Sequence, residues 1–168
     1  MYRIREVDGH DDEIADTLAD LHRLTFFDGA PVPAFDWGHS WLAFHEQLPV
    51  AFAGIIPSTC ARNAGYFCRV GVVNNHCGHG LQLRMMRVME FRARQNGWNC
   101  IVLDTTDNLA SANNFIKGGY RLYQPHFLGG GRTRCIGENS SDTGRAYETP
   151  AFRCCPLIVA SEALGMPA

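Results

Sequence analysis

The densest run of chemistry-bearing residues in this chain is Asn75-His76-Cys77-Gly78-His79-Gly80, which closes a β-branched stretch (Val70, Val72, Val73) and opens a long basic amphipathic segment. Those patterns predict a strand, a glycine-containing turn and a helix, in that order. Such a turn is built to receive a phosphate. Glycines let the backbone approach a ligand closely, and the first N–H groups of the new helix lack intrahelical acceptors and point outward with the positive end of its dipole. The same run offers His76, Cys77 and His79 as metal ligands. Their crowding lacks the helical i, i+4 or Cys-x-x-Cys spacing of common zinc sites, so no metal is expected there.

Two well-known phosphate-binding turns do not fit. A nucleotide P-loop needs Lys followed by Ser or Thr after its second glycine, and Gly80 is followed by Leu81 and Gln82. A dinucleotide fingerprint needs a third glycine where Leu83 stands and an acidic residue closing the next strand, near which only Asp104 is found. The shorter turn resembles the pyrophosphate-binding motif of the GNAT family of N-acetyltransferases, Gln/Arg-x-x-Gly-x-Gly/Ala, with Asn75 departing from the usual first residue. A lone Gly-x-Gly also serves ordinary helix starts, so weight falls on a second pattern. After the helix and a short apolar strand, Asn108 to Tyr120 resembles the family's Asn-x-x-Ala-x-x-x-Tyr-x-x-x-Gly-Phe, with Asn108, Gly119 and Tyr120 in register, Ser111 for Ala and Phe115 for Tyr. With the flanking strands, the resemblance covers roughly residues 64 to 125.

The resemblance implies an α/β fold of the acyl-CoA N-acyltransferase type: a central, mostly antiparallel mixed sheet splayed between its fourth and fifth strands and flanked by helices. It implies acetyl-CoA as the acyl donor and transfer of the acetyl group to an amine by direct attack. Backbone amides of His76, Cys77, Gly78, His79, Gly80 and Leu81 would hold the pyrophosphate. The pantetheine arm would run along the strand at Cys68, Arg69 and Val70, with an amide near Val70 polarising the thioester carbonyl. Asn108 matches a polar contact to the cofactor arm.

The proton-handling positions are where this chain departs from the family. Phe115 stands where a tyrosine usually serves as general acid, and Leu103 where protein N-terminal acetyltransferases place a glutamate. Neither side chain can move a proton. Asp104, Glu46, Tyr123 and Cys68 are substitutes by residue type alone, and transfer by proximity with proton loss to solvent needs none of them. The catalytic residues are therefore left unassigned. The acceptor is expected to be a small-molecule amine or a protein amine, the small molecule preferred on Leu103 and an acidic first helix. The competing reading is an acyl-CoA-binding or protein-interaction module on the same fold with little or no catalysis.

Composition bounds the rest. The chain has 168 residues, 46% hydrophobic, enough for one good core. The expected division is an acetyltransferase domain over 1–128 and a Gly- and Cys-rich tail over 129–168 that supplies the last strand. The formal charge of -2 gives no field that would draw nucleic acid or an anionic membrane. No apolar run approaches the roughly 20 residues needed to span a bilayer. Seven cysteines, an odd number, and no N-terminal apolar segment point to a soluble protein in a reducing cytoplasm. Oligomeric state, a homodimer included, is left open.

The elements that must position the turn follow in order. Tyr2 to Val7 alternates as a strand. Asp11 or Asp12 caps a helix with Ile14, Leu18, Leu21 and Leu24 or Thr25 facing the core, and Glu13, Asp16, Asp20 and Arg23 facing away. Residues 28 to 39 read as a loop whose Phe35 and Trp37 either dock in the core or face a ligand. Ser40 to His45 and Val50 to Ile56 form a hairpin with a four-residue loop, and Gly54 marks a bulge or a close approach. In the central helix Leu81, Met85, Val88 and Met89 face inward, Gly97 stops it, and Arg84, Arg87, Arg92 and Arg94 are a solvated face or reach for phosphates. Beyond Tyr120 the sequence reads as a strand interrupted by Pro125, then a connector through Gly129-Gly130-Gly131 and Glu138 to Arg145. Phe152 to Ala160, with the vicinal pair Cys154 and Cys155 and with Pro156 tolerated at an edge, closes the sheet.

Overall fold

The computed structural model describes residues 1–26, 29, 31–59, 61–104, 108–123, 126–128, 132–134 and 158–161. Pro125, the triple glycine, Glu138 to Arg145, Cys154, Cys155 and Pro156 lie outside the described residues, as do the side chains of Asp104 and Tyr123. The chain forms two compact units, Met1–Ile56 with Phe67–Arg92, and Pro57–Tyr66 with Ala93–Ala168.

The first unit holds β1 (Tyr2–Val7), α1 (Asp12–Thr25), β2 (His39–His45), β3 (Leu48–Pro57), most of β4 (Ala64–Val72) and most of α2 (Leu81–Gln95), with strand order β1-β2-β3-β4. Asp11 begins α1 because its carboxylate accepts from Glu13 N and Ile14 N, satisfying two of the orphan donors at a helix start. Leu18 and Leu21 are buried against Phe35, Leu42 and Phe52, whereas Leu24 is exposed and Thr25 takes the inward place. Each such fully buried apolar side chain contributes roughly 1.5–3 kcal/mol. Phe35 and Trp37 part company: Phe35 is in the core, and Trp37 is 55% exposed.

The hairpin differs from expectation. Its connection is the two-residue turn Glu46-Gln47, since His45 pairs with Leu48, and Glu46 takes φ 60. A left-handed glutamate is a costly turn residue, so propensity alone pointed to the longer loop. The register shift of the β2–β3 pairing lies between Ala43 and Phe44. A Cβ on Gly54 would sit 2.9 Å from Cys68 Sγ, so that glycine makes room for a side chain of β4.

On α2, Leu81, Met85, Met86 and Met89 are buried. Arg84 Nη2 donates to Tyr2 O at 3.0 Å and Arg92 pairs with Glu6, so two of the four arginines are committed to β1. Both contacts are exposed or half-exposed and position the helix more than they stabilise it.

The second unit holds the start of β4, β5 (Cys100–Asp104), α3 (Leu109–Lys117), β6 (Arg121–Tyr123), β9 (Ile158–Ser161) and the separate pair β7 (His126–Leu128) and β8 (Arg132–Arg134). Its order is β4-β5-β9-β6; β4 and β5 are parallel through Ala64, Gly65 and Tyr66, and β9 is antiparallel to both neighbours. The end of α2 closes at Gly97, φ 70, in a Schellman arrangement: Gly97 N donates to Arg94 O and Trp98 N to Ala93 O. Asn108 caps α3, its side chain accepting from Ser111 N at 2.9 Å.

Candidate cofactor-binding site

The end of β4 is held before the turn begins. Val73 N donates to Val50 O at 2.9 Å, and a single 3₁₀ turn over Asn74–His76 follows. That turn uses backbone donors of its own: His76 N reaches Val73 O and Cys77 N reaches Asn74 O. Cys77 Sγ lies 3.7 Å from both Val72 O and Val73 O. Gly78 and Gly80 then take φ 81 and 69, a region L-residues avoid. A Cβ at either glycine would meet nothing within 4 Å, so open space lies over this backbone. Gly80 O accepts the Arg84 N–H, which makes Gly80 the residue from which α2 starts. The first turn of α2 carries no acidic residue, and the buried Leu81 pins it to the core. An open backbone at an acid-free helix start is a fit for a pyrophosphate.

Strand β4 supplies the approach to this turn. Gly71 sits so close to the end of α1 that a Cβ would lie 2.2 Å from Thr25 Oγ1 and 2.5 Å from Phe52 Cε1. Arg69 turns to the same side, its guanidinium 5.3 Å over the Phe26 ring. Cys68 turns to the other, against Gly54, where burial pushes its thiol up to about 11, a rise only partly offset by Arg69 and backbone donors. It is S–H at neutral pH and so can be neither a thiolate nucleophile nor a base there. Iodoacetamide at pH 7.5 should label exposed Cys77 at least ~10-fold faster than Cys68, with Cys68 labelling rising only as pH approaches its thiol value. Peptide mapping by mass spectrometry reads both sites; equal labelling at pH 7.5 would contradict the buried thiol.

The two proton-handling positions are core residues. Leu103 is 1% exposed on β5, and Phe115 is 2% exposed on α3, its ring tilted against Tyr120 at 5.7 Å. Glu46 is exposed in the hairpin turn. Asn108 spends its side-chain oxygen on the cap of α3. Among the described residues no group of three or more His, Cys, Asp and Glu side chains is arranged to hold a metal. A hollow of about 360 Å³, lined among others by Glu6, Asp8, Asp36 and His39, opens at the far end of β1 from Tyr2, and Glu6 is already bonded there to Arg92 and His39. It is no part of the glycine-turn site.

Sequence reasoning missed a cluster beside the turn. The Tyr2 hydroxyl is 3.0 Å from His76 Nδ1, and the Tyr2 ring lies 4.9 Å from His45, 5.8 Å from His76 and 5.3 Å from His79. The signal for it was the cross-strand pairing of Tyr2 with His45, which only the β1–β2 register supplies.

The model of the acetyltransferase (GNAT) family matches residues 10–120. A search of curated protein sequences finds no match. Among solved structures, the IAA acetyltransferase from Bacillus cereus superposes with a TM-score of 0.65 at 12% identity, over 96% of this chain and 99% of that one. The ribosomal-protein-S18-alanine N-acetyltransferase from Escherichia coli gives 0.64 at 12%, over 96% and 93%. A Bacillus subtilis acetyltransferase in complex with CoA gives 0.65 at 14%, over 96% and 98%. At these identities the superpositions speak for the fold, and the match to the family model speaks for membership. The chain belongs to the GNAT family of acetyltransferases, enzymes whose acyl donor is acetyl-CoA.

Proposed function

We propose that the protein is an N-acetyltransferase that moves the acetyl group of acetyl-CoA to the amine of a small molecule. The observation that carries this reading is the open glycine turn at the acid-free start of α2, where Gly78 and Gly80 leave room for a ligand over bare backbone. Because the His76 and Cys77 N–H groups are spent within the 3₁₀ turn, the pyrophosphate donors narrow to the amides of Gly78, His79, Gly80 and Leu81. The β4 segment Cys68-Arg69-Val70 takes the pantetheine arm, and the Val70 N–H is the donor for the thioester carbonyl. When bound, acetyl-CoA supplies an acetyl thioester open to attack by a neutral amine. The chain's part is to align the two and exclude competing water, with the amine's proton lost to solvent. Residues 1–128 would carry this machinery, and residues 129–168 would add β9.

Two features favour a small amine over a protein terminus. Leu103 replaces the glutamate of the protein N-terminal acetyltransferases, and α1 exposes Glu13, Asp16 and Asp20, although Asp20 already pairs with Arg23. The thiols of Cys68 and Cys77, free among the described residues, fit a reducing, cytoplasmic setting, and no described helix is long and apolar enough to cross a membrane. The buried Leu103 and Phe115 favour the second reading, an acyl-CoA-binding module without turnover.

Turnover separates them. Release of free CoA thiol from acetyl-CoA is measured with polyamines, aminoglycosides, arylalkylamines and a peptide with a free N-terminus. Thiol release with a small amine is expected. Release with the peptide alone would overturn the substrate class, and tight binding with no release from any acceptor would favour the binding module.

A further inference from the structure

The cluster around Tyr2 has no role in the reading above, yet it borders the cofactor turn. Tyr2 stands opposite His45 across the β1–β2 ladder, and Arg84 of α2 holds it from behind through the Tyr2 carbonyl. His76 is the last residue of the 3₁₀ turn and His79 lies between the two left-handed glycines. The Tyr2 hydroxyl bonds His76 Nδ1, and a phenol can either donate to a neutral imidazole or accept from a protonated one. This bond orients the ring, with Nε2 directed away from Tyr2. His79 is exposed, its ring tilted against that of Tyr2 at 5.3 Å between centroids.

We propose that His76 and His79, steadied on Tyr2, are side-chain ligands of the cofactor's pyrophosphate, so that cofactor binding takes up protons. This rests on the reading of the glycine turn as the acetyl-CoA site. The His45 and His76 rings lie 5.2 Å apart between centroids, so two imidazoles and Arg84 crowd one side of the turn. Arg84 adds a fixed positive charge; among the described residues Glu46, next in the chain to His45, is a carboxylate on the same hairpin, and Cys77 is an exposed thiol. A pyrophosphate carries two negative charges into this surplus of cationic and titratable groups. It reverses the balance, and the imidazolium forms become the bound forms. The sign follows: affinity strengthens as pH falls through the histidine range and levels off above it.

The probe is dephospho-CoA, whose pyrophosphate does not titrate between pH 6 and 8; the 3′-phosphate monoester of CoA loses charge near pH 6 and would blur the result. Calorimetric titration of the wild-type protein is expected to show dephospho-CoA bound about 5- to 10-fold more tightly at pH 6.0 than at pH 8.0. That is the size expected of one imidazolium–phosphate contact present at the lower pH and absent at the higher. In buffers of different ionisation enthalpy the heats should reveal net proton uptake. The H76Q/H79Q variant should lose the pH dependence, and H79Q alone, a change at an exposed residue, should lose part of it. Wild-type affinity that does not vary with pH, or a double variant that keeps the wild-type variation, would overturn the proposal while leaving the cofactor site standing. Binding of CoA but not of dephospho-CoA would assign the contact to the 3′-phosphate and overturn it too. Binding of neither would overturn the cofactor site itself, and this inference with it.

Discussion

Replacing Gly80 by Trp is expected to weaken acetyl-CoA binding by at least ~100-fold, about 2.7 kcal/mol, while leaving a folded protein. At the proposed site the cofactor needs backbone approach at this residue, and an indole there would occupy the open space over the turn. The side chain itself meets no protein atom, since a Cβ at Gly80 has nothing within 4 Å. The cost to the fold is the left-handed backbone at φ 69, roughly 1–2 kcal/mol for an L-residue. A melting temperature lowered by a few degrees together with lost binding is the expected pair of results. Binding within twofold of wild type would mean that the turn is not where the pyrophosphate sits.

Gly71→Ala should act in the opposite way, on the fold first. Its Cβ would lie 2.2 Å from Thr25 Oγ1 and 2.5 Å from Phe52 Cε1, and neither neighbour can retreat easily. Thr25 Oγ1 is tied to Leu21 O at 2.7 Å, and the Phe52 ring is fully buried among His22, Phe26 and Phe35. Overpacking of this severity costs about 2–4 kcal/mol. For a chain of this size that is a fall in melting temperature of roughly 5–15 °C. Thermal unfolding followed by circular dichroism measures it; an unchanged midpoint would show that α1 and β4 are not in the close contact described.

These two glycines also show what the sequence could convey. Gly80 was legible because its task is local: a turn, a helix start and a φ that only glycine takes freely. Gly71 was not. It reads as an interruption of a β-branched run, and its reason is the approach of α1, separated from it by three strands' worth of chain. The same division holds elsewhere. Asp11, Gly97 and the inward row of α2 were readable because caps and 3.6-residue periodicity are local properties. The hairpin loop was misjudged because tertiary pairing of His45 with Leu48 overrides the reluctance of Glu46 to take φ 60. Phe35 and Trp37 look alike in sequence, and only packing sorts them into core and surface.

Around the turn, the glycines and the helix start were evident in the sequence, but the hydrogen bonds the turn makes within itself were not. The 3₁₀ turn that uses the His76 and Cys77 amides depends on where β4 is released, at the Val73 to Val50 hydrogen bond. The Tyr2 cluster depends on strand register across residues more than forty positions apart, and no local pattern announces it. Leu103 and Phe115, by contrast, were informative by type alone: apolar in sequence, they are apolar core in the fold.

Binding of acetyl-CoA at this turn is the property to measure first. Calorimetric titration of acetyl-CoA into the full chain at pH 7.5 is the measurement. We expect saturable binding of one molecule per chain with a Kd of about 1–100 μM, in the range where acyl donors must bind to be used. No saturable binding at about 1 mM cofactor, a level corresponding to only ~4 kcal/mol, would contradict the account, and the glycine turn would then be no more than the start of a helix.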